Sequence, residues 1–219
     1  MHQAKIGVSR WSWFRALGPF SLAIAALGSL VALADRQGIV SPCQRAALLR
    51  GDLLGIFGGS FFHHGARHAI NDIGSVLLMG LLYERVVGRA YVAVLLITLP
   101  LIPLAVLLLD PSLASYCGLS GTVHALFAVA LVWEWRRADW RPSWGVIVLT
   151  VALGIKLLQE AFTGQMLIDL EMASQVRLVP AAHLIGTLCG VVAGLLRRPL
   201  LARSYSGQSR DSRAGSSVL

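Results

Sequence analysis

Six apolar stretches recur along the chain, each close to the about 20 residues a helix needs to cross the hydrocarbon of a bilayer. They are Leu17–Ala34, Ala69–Val86, Tyr91–Leu109, Leu119–Trp135, Trp144–Phe162 and Ala181–Leu196. Backbone amides in lipid must find partners within their own segment, so such stretches have to be helices. The expectation is an all-α polytopic membrane fold, a six-transmembrane-helix bundle. Only 14% of the residues are charged, against about 25% in an ordinary soluble domain. No stretch is left over that could bury a separate soluble core. The first apolar stretch does not read as a cleavable leader, because it lacks a small-residue cleavage site and runs into Asp35-Arg36-Gln37.

The formal charge of +8 raises the question of a nucleic-acid partner, and the placement of the 19 Lys and Arg residues answers it. Lys5, Arg10, Arg15, Arg85, Arg89, Arg136, Arg137, Arg141, Arg197, Arg198, Arg203, Arg210 and Arg213 fall in segments that alternate to one side. Arg36, Arg45, Arg50, Arg67 and Arg177 fall on the other, and Lys156 lies inside the fifth stretch. That bias follows the positive-inside rule. It places both termini in the cytoplasm of a bacterial-type inner membrane, with the lipid bilayer and no nucleic acid as partner. The domain reading is a cytoplasmic segment over 1–16, a membrane domain over 17–198 and a cytoplasmic tail over 199–219. The tail is rich in Ser, Gly and Arg with no apolar period, a composition expected to be disordered.

The longest loop, Arg36 to His68, is predicted to lie on the outer side. Leu48-Leu49, Leu53-Leu54, Ile56-Phe57 and Phe61-Phe62 make it amphipathic enough to rest in the interface. Gly55, Gly58 and Gly59 argue against a continuous helix there. Cys43, Cys117 and Cys189 have no metal-ligand spacing. Cys43 and Cys117 share the outer side, where a disulfide is permitted, but nothing in the sequence establishes that they meet.

Polar residues inside apolar spans are costly, and that cost makes them functional candidates. Gly118-Leu119-Ser120-Gly121 opens the fourth stretch. Its glycines let a substrate approach the backbone, and helix-start N–H groups suit a developing oxyanion. The same string also reads as a plain serine cap between small residues. His183 opens the sixth stretch, where a neutral imidazole can take a hydroxyl proton and return it to a leaving amine. Gly186, Gly190 and Gly194 lie on its face of the helix, so a partner helix can pack at backbone distance. If that partner is the fourth stretch, His183 reaches Ser120. His63, His64, His68, Asn71 and Asp72 cluster where the second stretch begins, with His68 and Asp72 at i and i+4. A catalytic zinc generally takes three protein ligands, so these residues read better as donors or orienting groups around the serine than as a metal site. His124, one turn after Ser120, is either a member of the site or a packing residue.

With those residues in view, the sequence resembles rhomboid intramembrane proteases, and within them the rhombosortase branch, whose members are paired with GlyGly-CTERM substrates. Three elements carry the resemblance, in order: His63-x4-His68-x3-Asp72, Gly118-Leu119-Ser120-Gly121 and His183-x2-Gly186-x3-Gly190. The match runs from about Gly51 to Gly194. It implies an intramembrane serine endopeptidase with a dyad of Ser120 and His183, no third acidic member, and neither metal nor cofactor. It further implies that His68 helps the Ser120 N–H bind the oxyanion, and that His124 stands where ordinary rhomboids have tyrosine. The implied substrate is a membrane protein with a single transmembrane segment, cut near its outer boundary. Two departures stand out: Leu54-Gly55 where rhomboids carry Trp-Arg, and Asp72 where most have asparagine. A pseudoprotease that binds membrane clients without cutting them is the runner-up. A proton-coupled transporter using His68, Asp72 and His183 is the third reading, against which stands the lack of an internal repeat.

Overall fold

The computed structural model describes residues 18–35, 37, 42–52, 54–164 and 179–197. The proposed N-terminal segment and the C-terminal tail lie outside the described residues. The elements are α1 (Pro19–Asp35), β1 (Cys43–Gln44), α2 (Arg45–Leu49), α3 (Leu54–Phe61), α4 (Ala66–Met79), a π-helical turn (Gly80–Glu84) leading into α5 (Arg85–Val87), α6 (Arg89–Leu109), β2 (Ser115–Tyr116), α7 (Ser120–Arg137), α8 (Trp144–Thr163) and α9 (Pro180–Leu196). Helix occupies every one of the six apolar stretches. The fold is all-α apart from a short antiparallel ladder that sets Cys43 opposite Tyr116. α6 and α8 are each long and apolar enough to cross a bilayer, while α1 and α9 are shorter apolar helices. Large apolar side chains point outward on several helices, among them Leu30 on α1, Ile97 on α6, Leu158 on α8 and Leu188 on α9. In water such a surface would aggregate; against hydrocarbon it is at home.

α7 is the core helix, burying Gly121, Thr122, Ala125, Leu126, Ala128, Val129, Ala130 and Leu131. α9 lies against it backbone to backbone. A Cβ added at Gly190 would come within 2.8 Å of Ala128 Cβ, and one at Gly194 within 2.7 Å of Val132 Cβ. From the other side, a Cβ on Gly121 would meet the Ala182 carbonyl at 2.9 Å. The glycine face inferred from sequence therefore does meet the fourth stretch, as small-residue faces in membrane helices do. At the far end Arg136 of α7 donates at 2.7 Å to each of the carbonyls of Gly194, Leu195 and Arg197. Two of these acceptors belong to the last turn of α9, which leaves its carbonyls without intrahelical donors. Glu84 plays the converse part for α1. Its carboxylate accepts from the N–H groups of Phe20 and Ser21 at 3.0 and 2.7 Å, where a negative charge suits the helix dipole.

The loop between α1 and α4 departs from expectation, because α3 runs as a helix through Gly55, Gly58 and Gly59. Local propensity yields here to tertiary partners. A Cβ at Gly59 would stand 3.0 Å from the Cys43 amide nitrogen, so the missing side chain is what lets β1 pack on this helix. Ser60 is tied to α6, which contains Pro100 and Pro103. Pro103 offers no N–H to the Leu99 carbonyl one turn back, and the buried Ser60 hydroxyl donates to that carbonyl instead, at 2.6 Å. All three cysteines are free thiols, although the ladder holds Cys43 one residue from Cys117 in register.

Candidate active site

Ser120 is the first residue of α7, and the turn that delivers it is held from two directions. Gly118 takes a φ of +103°, a conformation that L side chains rarely adopt, and its N–H donates to the Gly59 carbonyl at 3.2 Å. The next amide, Leu119 N–H, donates to Asp72 Oδ2 at 2.7 Å. Leu119 itself is fully buried. Ser120 is thereby fixed where the first-turn N–H groups of α7 have no intrahelical acceptor.

The close contact of α7 and α9 brings His183 Nε2 to 3.0 Å from Ser120 Oγ. His183 Nδ1 lies 2.7 Å from Glu160 Oε2 on α8. A carboxylate can only accept, so Nδ1 carries the proton and Nε2 presents its lone pair to the serine hydroxyl. The other Glu160 oxygen pairs with the Lys156 ammonium, one turn earlier on α8. Lys156 Nζ also lies 3.1 Å from His124 Nε2, and His124 Nδ1 lies 2.7 Å from the carbonyl oxygen of Ser120. The same reasoning fixes that ring: Nδ1–H donates to the carbonyl, and Nε2 accepts from the lysine. The imidazoles of His124 and His183 stack face to face, with centroids 4.0 Å apart and planes 14° from parallel. The hydrogen bonds form a closed circuit that leaves Ser120 by its hydroxyl and returns to it by its carbonyl.

A second cluster lies on the other side of the Gly118–Leu119 turn. His63 Nε2 and His68 Nε2 come within 3.3 and 3.2 Å of Asp72 Oδ2, the oxygen that also accepts from Leu119. The His63 and His68 rings meet edge to face with centroids 5.0 Å apart. A Cβ at Gly118 would fall 2.9 Å from His68 Nε2, so glycine here makes room for the histidine. His63, His68 and Asp72 are buried, and His64 is exposed. Asp72 Oδ2 thus faces three groups that can donate to it, the Leu119 N–H and the two imidazoles.

The structure thus brings Ser120, His183 and His124 into one cluster, and His63, His68 and Asp72 into a neighbouring one joined to it through Gly118 and Leu119. The expected absence of an acidic group beside the histidine does not match, since Glu160 bonds His183 directly. Sequence reasoning missed Glu160 and passed over Lys156. Their signal was present: they are the only charged residues of α8 and stand at i and i+4. His124, Glu160 and His183 offer ligand atoms within 4.8 Å of one another, as a metal site would. The Lys156 ammonium, however, already contacts two of the three and supplies the cation.

An apolar cleft of about 370 Å³ opens beside this circuit, between α4, α7 and α8. Ser75, Leu78 and Met79 form one wall, Leu149, Ala152 and Leu153 the other, Val123 and Phe127 the floor. His124 and Lys156 stand at its polar end.

No curated protein matches the chain at a significant level. A family model does match: the Rhomboid domain, over residues 50–200. Those residues span more than half of the chain and contain both clusters, from His63 to His183. The chain belongs to the rhomboid family.

Proposed function

We propose that the protein is an intramembrane serine endopeptidase that cleaves single-pass membrane proteins near the outer face of the bilayer, with Ser120 as nucleophile and His183 as general base. Rhomboid proteins are generally intramembrane serine proteases acting on membrane-protein substrates. The observation that carries the reading for this chain is the 3.0 Å approach of His183 Nε2 to Ser120 Oγ at the start of a helix. As Oγ attacks the scissile carbonyl carbon, its proton passes to His183 Nε2. The carbonyl oxygen becomes an oxyanion opposite the first-turn N–H groups of α7, with His68 beside Gly118 as a further donor. Collapse of that intermediate breaks the C–N bond, and His183 returns the proton to the leaving amine. Water, deprotonated in turn by His183, then releases the acyl group from Ser120. The apolar cleft between α4 and α8 suits an apolar substrate segment, delivered with its end beside His124. No metal or cofactor takes part in these steps.

The wider reading follows from the same features. Six crossings over residues 17–198, both termini in the cytoplasm of a bacterial-type inner membrane and a site opening outward are supported by the distribution of Lys and Arg. Membership of the rhombosortase branch, and with it GlyGly-CTERM-type substrates, is supported by His124, which stands where ordinary rhomboids have tyrosine. The test is covalent labelling of the protein in membranes by a fluorophosphonate. The expected result is one adduct, on Ser120, lost in Ser120→Ala and in His183→Ala, each of which stays folded. Removing either member of a unit that acts together should cost nearly as much as removing both. A folded parent that takes no label at Ser120 binds clients without cutting them, and the reading falls.

A further inference from the structure

α8 poses a question that the serine and histidine do not answer. Of its residues only Glu160 is buried; the rest are half-buried or face outward. A helix in hydrocarbon that buries a single side chain, and buries a carboxylate, is not packed by that side chain's apolar contacts. Charged groups in such surroundings are costly enough that they mark function when they occur. Lys156 deepens the point, because it places a second charge in the same apolar helix and turns it toward the same site.

The geometry around the two residues is directed rather than merely neutralising. One Glu160 oxygen holds His183 Nδ1 at 2.7 Å, and the other holds Lys156. With the proton on Nδ1, Nε2 is left free to accept from Ser120. The opposite tautomer would put a proton on Nε2, facing a hydroxyl that has to give one up. Lys156 does the matching work on the second ring. By donating to His124 Nε2 it leaves Nδ1 of that ring as the donor to the Ser120 carbonyl. His124 then has neither nitrogen open to a proton, and the ring stacked 4.0 Å from His183 stays neutral when His183 becomes an imidazolium. Two stacked imidazolium rings would repel; one imidazolium against a neutral ring and a carboxylate is stabilised. The groups facing His183 are Ser120 and His124 from α7 and Glu160 from α8, with Lys156 behind the last two.

We propose that Glu160 and Lys156 are positioning residues for the Ser120–His183 reaction, Glu160 fixing the tautomer and orientation of His183 and Lys156 fixing both Glu160 and the neutral His124. In the first step the proton moves from Ser120 Oγ to His183 Nε2, and the new positive charge lies between the Glu160 carboxylate and His124. No proton moves onto Glu160, and Lys156 keeps all of its own. The site is then a serine–histidine–carboxylate arrangement assembled on three membrane helices, with a lysine closing the ring. This rests on the reading of Ser120 as nucleophile.

Two measurements on the full-length protein in detergent or liposomes test it. The first is the rate at which a fluorophosphonate labels Ser120. Replacing the carboxylate that orients a catalytic histidine by its amide has cost about 10⁴ in a worked serine protease, with the geometry intact. For Glu160→Gln the maximal labelling rate should fall by at least about 100-fold, while the half-saturating probe concentration stays within about threefold, the pattern of a group that acts only in the transition state. Glu160→Asp, which keeps the carboxylate, should recover part of the loss. The second is the ¹⁵N spectrum of histidine-labelled protein, with the His183 signals assigned by their loss in His183→Gln. In the parent the proton sits on Nδ1; in Glu160→Gln the Nε2–H form should appear. If Glu160→Gln is too unstable to purify, the Lys156→Met/Glu160→Gln pair removes both charges together and carries the same two readouts. Parent-like labelling, or an unchanged tautomer, in either folded variant overturns the proposal. Should the parent itself fail to label, the functional reading falls, and the tautomer comparison still decides what Glu160 does.

Discussion

Asp72 shows how one oxygen can serve two clusters. Its Oδ2 takes the Leu119 N–H at 2.7 Å and faces two imidazoles at 3.3 and 3.2 Å. The amide bond holds the turn that presents Ser120, and the imidazole contacts hold His68 against Gly118. Asparagine can keep the first of these through its carbonyl oxygen but brings no charge to the second. Alanine loses both and leaves buried donors unanswered. We expect Ser120 labelling to slow by about tenfold in Asp72→Asn and by about 100-fold in Asp72→Ala, the range seen when groups that orient site residues are removed. Parent-like rates in both variants would take Asp72 out of the machinery. At this scale the sequence was legible wherever a polar residue interrupted an apolar run: Ser120, His183, His68 and Asp72 stood out for that reason. Glu160 was as conspicuous by the same rule. Its partner was not, because a salt pair at i and i+4 looks self-contained until the third helix is placed.

Between elements, the decisive contact is the one made without side chains. Gly186, Gly190 and Gly194 let α9 lie on the carbonyls and alanines of α7, and this closeness brings His183 within reach of Ser120. A leucine at 190 would begin from a Cβ already 2.8 Å from Ala128 Cβ, with a clash against the Ala125 carbonyl besides. Gly190→Leu should therefore lower the thermal unfolding temperature in detergent and abolish Ser120 labelling together. Normal stability with normal labelling would mean that the two helices can separate without consequence. This interface could be read from sequence because the glycine spacing is helical and one face carries all three. α3 could not, since its glycines point to a break by every local rule. What overrides them is the carbonyl left open by Pro103, forty residues on in the chain, and the Ser60 hydroxyl that fills it. A proline in one helix and a serine in another do not announce each other.

Over the whole molecule, the six apolar stretches gave the helices to within a few residues at each end, because segment length and hydropathy are local quantities. The π-helical turn at Gly80–Glu84 and the capping of α1 by Glu84 were not legible, since both depend on which helix end comes to lie beside which. The arrangement of α8 has a further consequence. Every side chain of this helix except Glu160 is at least partly uncovered by protein, so lipid is a principal neighbour. Helices of that kind answer to the thickness of the membrane by tilting. If α8 tilts while the glycine contacts keep α7 and α9 together, Glu160 shifts relative to His183. On the proposed reading, reactivity at Ser120 would then be coupled to the mechanics of the bilayer, with membrane thickness as well as substrate setting its rate. Reconstituted into bilayers of graded acyl-chain length, the protein should label at Ser120 fastest at one thickness and fall away on either side, whereas Glu160→Gln, already uncoupled, should show a flat response. A parent rate independent of chain length would mean that α8 is held by something other than the membrane around it.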